Sequence, residues 1–512
     1  MNFISYEAAV AQLRRRALGA APAIVAAMTL IPATANAAPT ARLEASRTSG
    51  PAPLAVMFDA TGTTESNSSV DVFRQIGYRF EFADAASGTW AHSSMSKNEQ
   101  IGGPLAAHVF EHPGTYNVRV TARDASGNSS IASVSITVTS PDTAFSGNAT
   151  VCISRSSDFS GCPSGAQQIA NASSWPTFQS NRRYLLRAGQ DFTSLGNIQL
   201  GRMFDSGVSD AQLNSFGTGS KPVVQRVDLF SSKGPMQGNL GWPERVVVAN
   251  MNVLAIGHQH GGIDLLIFRN SLLRGGSITL TSAFDYELNL SRTNGWQVPQ
   301  KLFVVENEIR GNGQTDSLTG QASRFVIMGN LVDRTNQHNV RVWQGHKVLA
   351  AHNRLMGHSQ DSIRHAFKMH SAGTAANSLT LTAPLRFNQR SAEVVFTNNV
   401  VGSPDNSQNW LIAFSPQNGE YAEGVEKIII EDNTFTSGPN HYLDIAWGGR
   451  NMTERGNRNA TSGGAVRSGL GHYEGLPTDW RGPYYANQAS MRPRFASDAT
   501  TKVPRAPVLT VE

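Results

Sequence analysis

Seven short apolar runs between positions 246 and 435 of this 512-residue chain each carry an asparagine at a similar point. They lie at 246–254, 267–272, 304–309, 326–332, 348–355, 394–401 and 428–435, with the asparagines at Asn250, Asn270, Asn307, Asn330, Asn353, Asn399 and Asn433. Asn307 to Asn330 and Asn330 to Asn353 are each 23 residues, and Asn353 to Asn399 is 46, twice that period. The steps Asn270 to Asn307 and Asn399 to Asn433 are longer, as loop insertions make them. A constant period that tolerates insertions predicts a solenoid. The runs lack the 3.6-residue period of an amphipathic helix, so the repeating units are strands. Asparagine suits one fixed point per coil because it accepts a tight bend and its amide can bond the asparagine of the next coil, forming a ladder. A β-propeller blade takes about 40–45 residues and fits this period poorly.

The repeat resembles the right-handed parallel β-helix of the pectin-lyase-like class over roughly residues 165–460. That resemblance implies an elongated groove on one sheet face, of the kind that takes acidic or neutral polysaccharides.

Ahead of the repeat the chain reads as an export signal. Arg14, Arg15 and Arg16 precede an apolar stretch at 17–31, and Ala35-Asn36-Ala37 is a small-x-small cleavage signal, with the cut expected after Ala37. The arginines also permit twin-arginine export. A membrane anchor needs about 20 apolar residues, whereas Pro22 and Pro32 bracket a shorter run, and no later stretch approaches a span. The mature chain is therefore expected to be secreted, periplasmic or held at the cell surface by a partner. The 2 cysteines rule out a disulfide scaffold or an all-cysteine metal site. Cys152 and Cys162 are expected to form a local disulfide in an oxidising compartment, worth about 2–3 kcal/mol in the chain-entropy model.

Between the leader and Cys152, short β-rich runs alternate with turn residues. The runs at 54–58, 77–82, 116–122 and 131–138, with a turn at 124–128, predict an antiparallel sandwich. The stretch from His108 to Thr121, with Pro113-Gly114 shaping the hairpin entry and Phe110 and Tyr116 as core residues, followed by Asp124 and Gly127, resembles the PKD family of immunoglobulin-like modules. The family's usual Gly-Asp-Gly turn is missing after Tyr78-Arg79-Phe80. The resemblance implies a spacer or weak binder, so no chemistry is assigned here, and His108 and His112 are read as packing or surface residues. The expected fold class is all-β: a leader at 1–37, an immunoglobulin-like sandwich at 38–141, a parallel β-helix at 142–480 and a tail or cap at 481–512.

Only 16% of residues are charged, and the formal charge of +5 is small and dispersed, which argues against nucleic-acid binding. A monomer acting on an extracellular polysaccharide is the expected form. Residues 338–370 are rich in cationic and titratable groups. Aligning Val342-Trp343-Gln344-Gly345-His346, Ala366-Phe367-Lys368-Met369-His370 and Ala413-Phe414-Ser415-Pro416-Gln417 turns the aromatics inward by period 2 and lines the polar residues up along the opposite face. The earlier run Ala283-Phe284-Asp285-Tyr286-Glu287 joins this strip. In lyases of the resembled class a Lys, Arg or His removes the proton beside a uronate carboxylate while cations neutralise that carboxylate. The hydrogen is barely acidic until the developing charge is compensated. On that basis Lys368 or His370 is the expected base, Arg364 or Arg341 the carboxylate grip, and His346 the acid to the leaving oxygen. Gln344, Ser415 and Gln417 are expected to bind substrate. Asp285 and Glu287 are hard oxygen donors for calcium, the one cofactor expected. They could instead join Asp361 or Asp444 as the carboxylate pair of a hydrolase. A solvated face with scattered histidines is the plain alternative, and a non-catalytic adhesive stalk the rival from another class. His258 and His260 share a strand face, but two ligands do not make a zinc site. Trp242, Trp296 and Trp410 are candidates for stacking on sugar rings.

Overall fold

The computed structural model describes residues 37–460, apart from 201–207, 230–243, 259–263, 273–275, 281–300, 312–315, 334, 336, 358–364, 371–391, 403–411, 416–424 and 437–448. The leader at 1–36 and the tail beyond 460 therefore lie outside the described residues.

The N-terminal sandwich packs a three-stranded sheet against a five-stranded one. Strands Gly114–Arg123 and Ser129–Thr139 pair antiparallel around the turn at 124–128, where Asp124 accepts the Asn128 backbone N–H at 2.8 Å. Strand Ser129–Thr139 alternates exposed and covered positions, as a sheet with one wet face should. Strand Leu54–Asp59 is buried at every position. Its Leu54, Val56 and Phe58 enter the sandwich core with Phe80, Phe110 and Val120. Its Ala55 and Met57 point the other way, into a second core. His108 is buried, stacked on Phe82 and bonded to Asp84 at 2.9 Å, whereas His112 is exposed.

From Thr150 onward every described pairing is parallel, and each strand pairs with its counterpart one coil on, which is a parallel β-helix. Three sheets run along it. Sheet A holds the strands that precede the asparagines, among them Glu244–Ala249, Asp264–Phe268, Lys301–Val305, Ala392–Thr397 and Val425–Glu431. Sheet B holds the short strands that follow them, such as Glu308–Arg310, Leu331–Asp333 and Arg354–Met356. Sheet C closes each coil, with Asn252–His258, Ile278–Leu280, Phe367–His370 and Ile412–Ser415. Strands Leu318–Met328 and Val340–Ala351 run from sheet C into sheet A. Their register shifts between Gly320 and Gln321, a bulge that bends both strands at the corner. One apolar column from Val151 to Phe435 fills the interior. Cys152 and Cys162 are joined as a disulfide on the first coils.

The asparagine ladder forms. In each rung the side-chain oxygen of one asparagine accepts both the backbone N–H and the Nδ2 of the asparagine before it, through Asn270, Asn307, Asn330, Asn353, Asn399, Asn433 and Asn457. The residue just before each ladder position takes a positive φ: Arg269, Glu306, Gly329, His352, Asn398, Asp432 and Gly456. The expectation for Asn250 needs correction. Met251 donates its N–H to Asn270 Oδ1 at 3.1 Å and so holds the ladder position, while Asn250 occupies the left-handed position ahead of it, which asparagine tolerates. Asn457, which falls outside the runs read from sequence, extends the ladder by one rung.

The sandwich sits on the outward face of sheet A. Strands of this sheet are apolar on both faces, and outward Leu266, Phe303, Val326, Leu349, Val395 and Ile429 share a core with Ala55, Met57, Leu105 and Ala107 of the sandwich. Ion pairs frame this contact: Arg269 with Glu111, Lys97 with Glu306, Lys347 with Asp59, and Arg47 with Asp264. Burial pushes the Asp59 carboxyl up, but the Lys347 ammonium and the Thr61 hydroxyl outweigh it and hold the group below the usual carboxylate range.

Candidate functional site

With sheet A covered, sheets B and C are left with outward polar residues, and the candidate cations read from sequence, Arg341 and Lys368, fall on sheet C. Its inward positions form the row Ile256, Ile278, Leu318, Val340, Phe367 and Ile412, all buried in the core. The neighbouring outward row runs Asp228, Gly257, Thr279, Thr319, Arg341 and Lys368. Alternation along each strand separates the two rows. At the N-terminal end of the outward row, Asp228 accepts from Asn197 at 3.1 Å and Gln199 at 2.8 Å and is paired with Arg226. A Cβ on Gly257 would meet the Arg226 guanidinium, so the glycine leaves room for that arginine to lie across the sheet.

The densest group of titratable residues lies where the chain enters sheet C. Arg341 and Lys368 are direct register partners on adjacent coils, one strand spacing of about 4.8 Å apart. Asp316 carries two bonds here: Oδ2 accepts Arg341 Nη1 at 3.2 Å and Oδ1 accepts the His338 backbone N–H at 3.0 Å. Both side chains of the ion pair are largely shielded, at 15% and 12% exposure, so the carboxylate restrains the guanidinium from one side. Behind them His338 and His365 are buried and stacked, ring centres 5.2 Å apart. The His365 backbone N–H donates to His338 Nδ1 at 2.8 Å, which assigns the proton of the neutral His338 ring to Nε2. Chemically, this is a pair of adjacent cationic side chains, one oriented by a carboxylate, on a polar sheet face.

The structure brings some of the predicted residues together and separates others. Arg341 and Lys368 meet. His370 lies two positions along the same strand and pairs in register with Ser415. The alignment of the Trp343 strand with the Phe367 strand needs correction. Phe367 is opposite Val340 and Ile412, and Phe414 is opposite Met369. Val342 is the inward residue of its strand, and Trp343 is the residue skipped when Gly320–Val342 pairing gives way to Gln321–Gln344. The observed register of these two strands is three positions from the aligned one, an odd shift that exchanges faces, and the residue inserted at Trp343 ends the alternation at the corner. Gln344 therefore lies past the corner. His346 is exposed and follows Gln344 along the strand, next to Lys347, whose ammonium pairs with Asp59 of the sandwich. Arg364, Gln417, Asp285, Glu287, Asp361, Asp444, His260, Trp242, Trp296 and Trp410 lie outside the described residues. Among the described residues no three His, Cys, Asp or Glu side chains converge as a metal site.

Asp316, Thr319 and Asp228 were missed from sequence. The signal for Asp316 is its spacing of 22 residues from His338, close to the coil period, which puts the two at equivalent points of successive coils. It lies outside any apolar run and so carries no strand signature of its own.

Comparison with known proteins gives the following. Residues 36–139 match the PKD domain family. No curated protein matches the chain. Among solved structures, a chain from a study of the promiscuous specificity of carbohydrate-binding modules of the β-sandwich superfamily is 25% identical, over 21% of this chain and 36% of that one, with a TM-score of 0.17. The surface protein and adhesin PfbA of Streptococcus pneumoniae is 14% identical over 55% of this chain and 79% of its own, with a TM-score of 0.30. A Family 28 exopolygalacturonase of Yersinia enterocolitica is 9% identical over 84% and 98%, with a TM-score of 0.29. This chain thus spans about a third of the first of these.

Proposed function

We propose that the protein is an exported enzyme that degrades a uronic-acid-containing polysaccharide by β-elimination on the outward face of sheet C. The observation that carries this reading is the adjacency of Arg341 and Lys368, with Asp316 orienting the arginine. Arg341 grips the uronate carboxylate through two N–H groups and draws off charge as the enolate develops. Lys368 takes the proton beside that carboxylate. The electron pair forms the ring double bond, the glycosidic C–O bond breaks and the leaving oxygen acquires a proton. His370 is the second candidate base. Ser415, the register partner of His370, extends the binding strip. The acid to the leaving oxygen is left unassigned, because His346 stands past the corner. Calcium held through Asp285 and Glu287 remains an arm of the assay. Export is supported by the formed disulfide, which belongs to an oxidising compartment.

A hydrolase needs one carboxyl protonated and another free to act across the bond. Asp228 and Asp316, the described acids of this face, are both committed to arginine, which favours the lyase reading.

The test is absorbance at about 235 nm on incubation with a panel of uronate polymers, with and without calcium, alongside reducing-end release. A rise abolished by Lys368→Ala and lowered in kcat as well as raised in KM by Arg341→Ala supports the assignment. New reducing ends without absorbance would make the protein a hydrolase. Silence in both readouts, with retained polymer binding, would make it an adhesive protein.

A further inference from the structure

A spacer or a freely hinged binding module keeps both of its sheet faces wet. The PKD domain of this chain does not. Its three-stranded sheet has two apolar faces, one in the domain's own core and the other, through Ala55, Met57, Leu105 and Ala107, in a core shared with the solenoid. Sheet A answers with one outward apolar residue from each of six successive coils: Leu266, Phe303, Val326, Leu349, Val395 and Ile429. The contact extends beyond that row at both ends. Gln212 Nε2 donates to the Ala52 carbonyl at 2.9 Å, and Arg455 Nη1 donates to the Arg74 carbonyl at 2.9 Å. Between these two bonds stand nine successive strands of sheet A, a length of about 38 Å at the usual strand spacing.

At the ladder corner the fit is side chain to backbone. Trp90 stacks on His352 with ring centres 5.0 Å apart, and a Cβ on Gly329 would come within 2.6 Å of the same indole. Ser93 Oγ meets His352 Nδ1 at 2.9 Å. These are the packing distances of a protein interior rather than of a transient contact.

We infer that the PKD domain is a splint, an obligate intramolecular partner that binds the coils of sheet A into one cooperative unit. Coils of a solenoid contact only their neighbours, so each boundary is a place where the stack can open. A rigid body seated on nine strands couples coils that otherwise never meet. Undocking would uncover a continuous apolar row longer than soluble monomers expose, and would leave Lys347, Asp59, Glu111 and Arg269 without their partners across the contact. The role is independent of what sheet C does chemically. It also removes sheet A from consideration as a substrate groove.

The experiment uses the full chain with a specific protease site inserted between Ser146 and Gly147, both exposed in the connection to the solenoid. After complete cleavage the two pieces should elute together on size exclusion in high salt, and hydrogen exchange should lose protection in 105–110 and 301–305 at the same denaturant concentration. Separation of the pieces, or two separate transitions, would overturn the splint. Leu105→Asp, at the centre of the contact, should bring both transitions down together. Ile131→Asp, on the opposite, exposed sheet of the PKD domain, should leave them in place. Unchanged transitions in Leu105→Asp would equally refute the inference.

Discussion

Replacing Asn330 with alanine tests whether the asparagine ladder holds the solenoid together or merely decorates it. Asn330 is fully buried. Its Oδ1 accepts the Asn307 backbone N–H at 2.9 Å and Asn307 Nδ2 at 3.1 Å. Its Nδ2 donates to the Val304 carbonyl at 2.8 Å and to Asn353 Oδ1 at 3.0 Å. Truncation removes all four bonds. Asn307 Nδ2 keeps carbonyl partners at Ile267 and Val305, and Asn353 Oδ1 keeps the residue-330 backbone N–H. The Asn307 backbone N–H keeps nothing, and an orphaned buried donor costs about 1–3 kcal/mol. With about 1 kcal/mol net for each of the three other lost bonds and a carboxamide-sized void, the expected loss is about 5–6 kcal/mol. Asn457→Ala is the internal comparison. It also accepts two bonds, from Asn433, but it is half-buried, so water can replace it and the loss should be about 1–2 kcal/mol. The assay is urea unfolding followed by circular dichroism, with hydrogen exchange at Asn307 to localise the effect. Equal costs at the two positions, or less than about 1 kcal/mol at Asn330, would refute the argument that buried satisfaction gives the ladder its strength.

Acid should weaken the domain contact through His352. Burial pushes its imidazole down to about 3 from 6.5, so the unfolded chain binds a proton that the folded chain refuses as pH falls through that window. The contribution is fully present above about pH 6.5 and falls away by up to about 5 kcal/mol towards pH 3, and His352→Asn, which suits the positive φ, should flatten that limb of a stability–pH curve. Gly329→Ala should cost about 3 kcal/mol by thermal unfolding, from a φ of 66° and the clash with Trp90, whereas Gly189→Ala, at a φ of 80° with nothing within 4 Å, should cost about 1 kcal/mol. Joint replacement of Cys152 and Cys162 by alanine should lower stability by about 2–3 kcal/mol, and the loss should be reproduced by reducing the parent protein. Asp316→Asn, which keeps the acceptor and removes the charge, should raise KM for the uronate polymer more than it lowers kcat.

Much of the solenoid was legible because its determinants are local and repeated. The 23-residue interval, the apolar runs and the asparagines are all consequences of one coil geometry, printed once per turn. Where two residues competed for one role, the text was ambiguous. Asn250-Met251 reads as a ladder asparagine, yet the neighbouring coil bonds Met251 and gives Asn250 the left-handed bend. The site was legible in type more than in arrangement. Arg341 and Lys368 stood out as cations in a titratable stretch, but their adjacency is set by a register between coils, and the bulge that follows Val342 is not contained in period-2 counting.

The strand Leu54–Asp59 is a comparable case. Its unbroken apolar run signals a strand covered on both sides, unlike the alternating Ser129–Thr139. Which surface does the covering is not written there. By itself the amino-acid sequence determined the all-β class, the repeating coil, the PKD-like module and the local disulfide, since each rests on residues close in the chain or recurring at fixed spacing. The tertiary structure alone decided that the sandwich closes sheet A, that Arg341 and Lys368 come into register on sheet C, and that Asp316 restrains Arg341. Those are contacts between residues tens to hundreds of positions apart, chosen by which apolar faces are left to bury once every coil has formed.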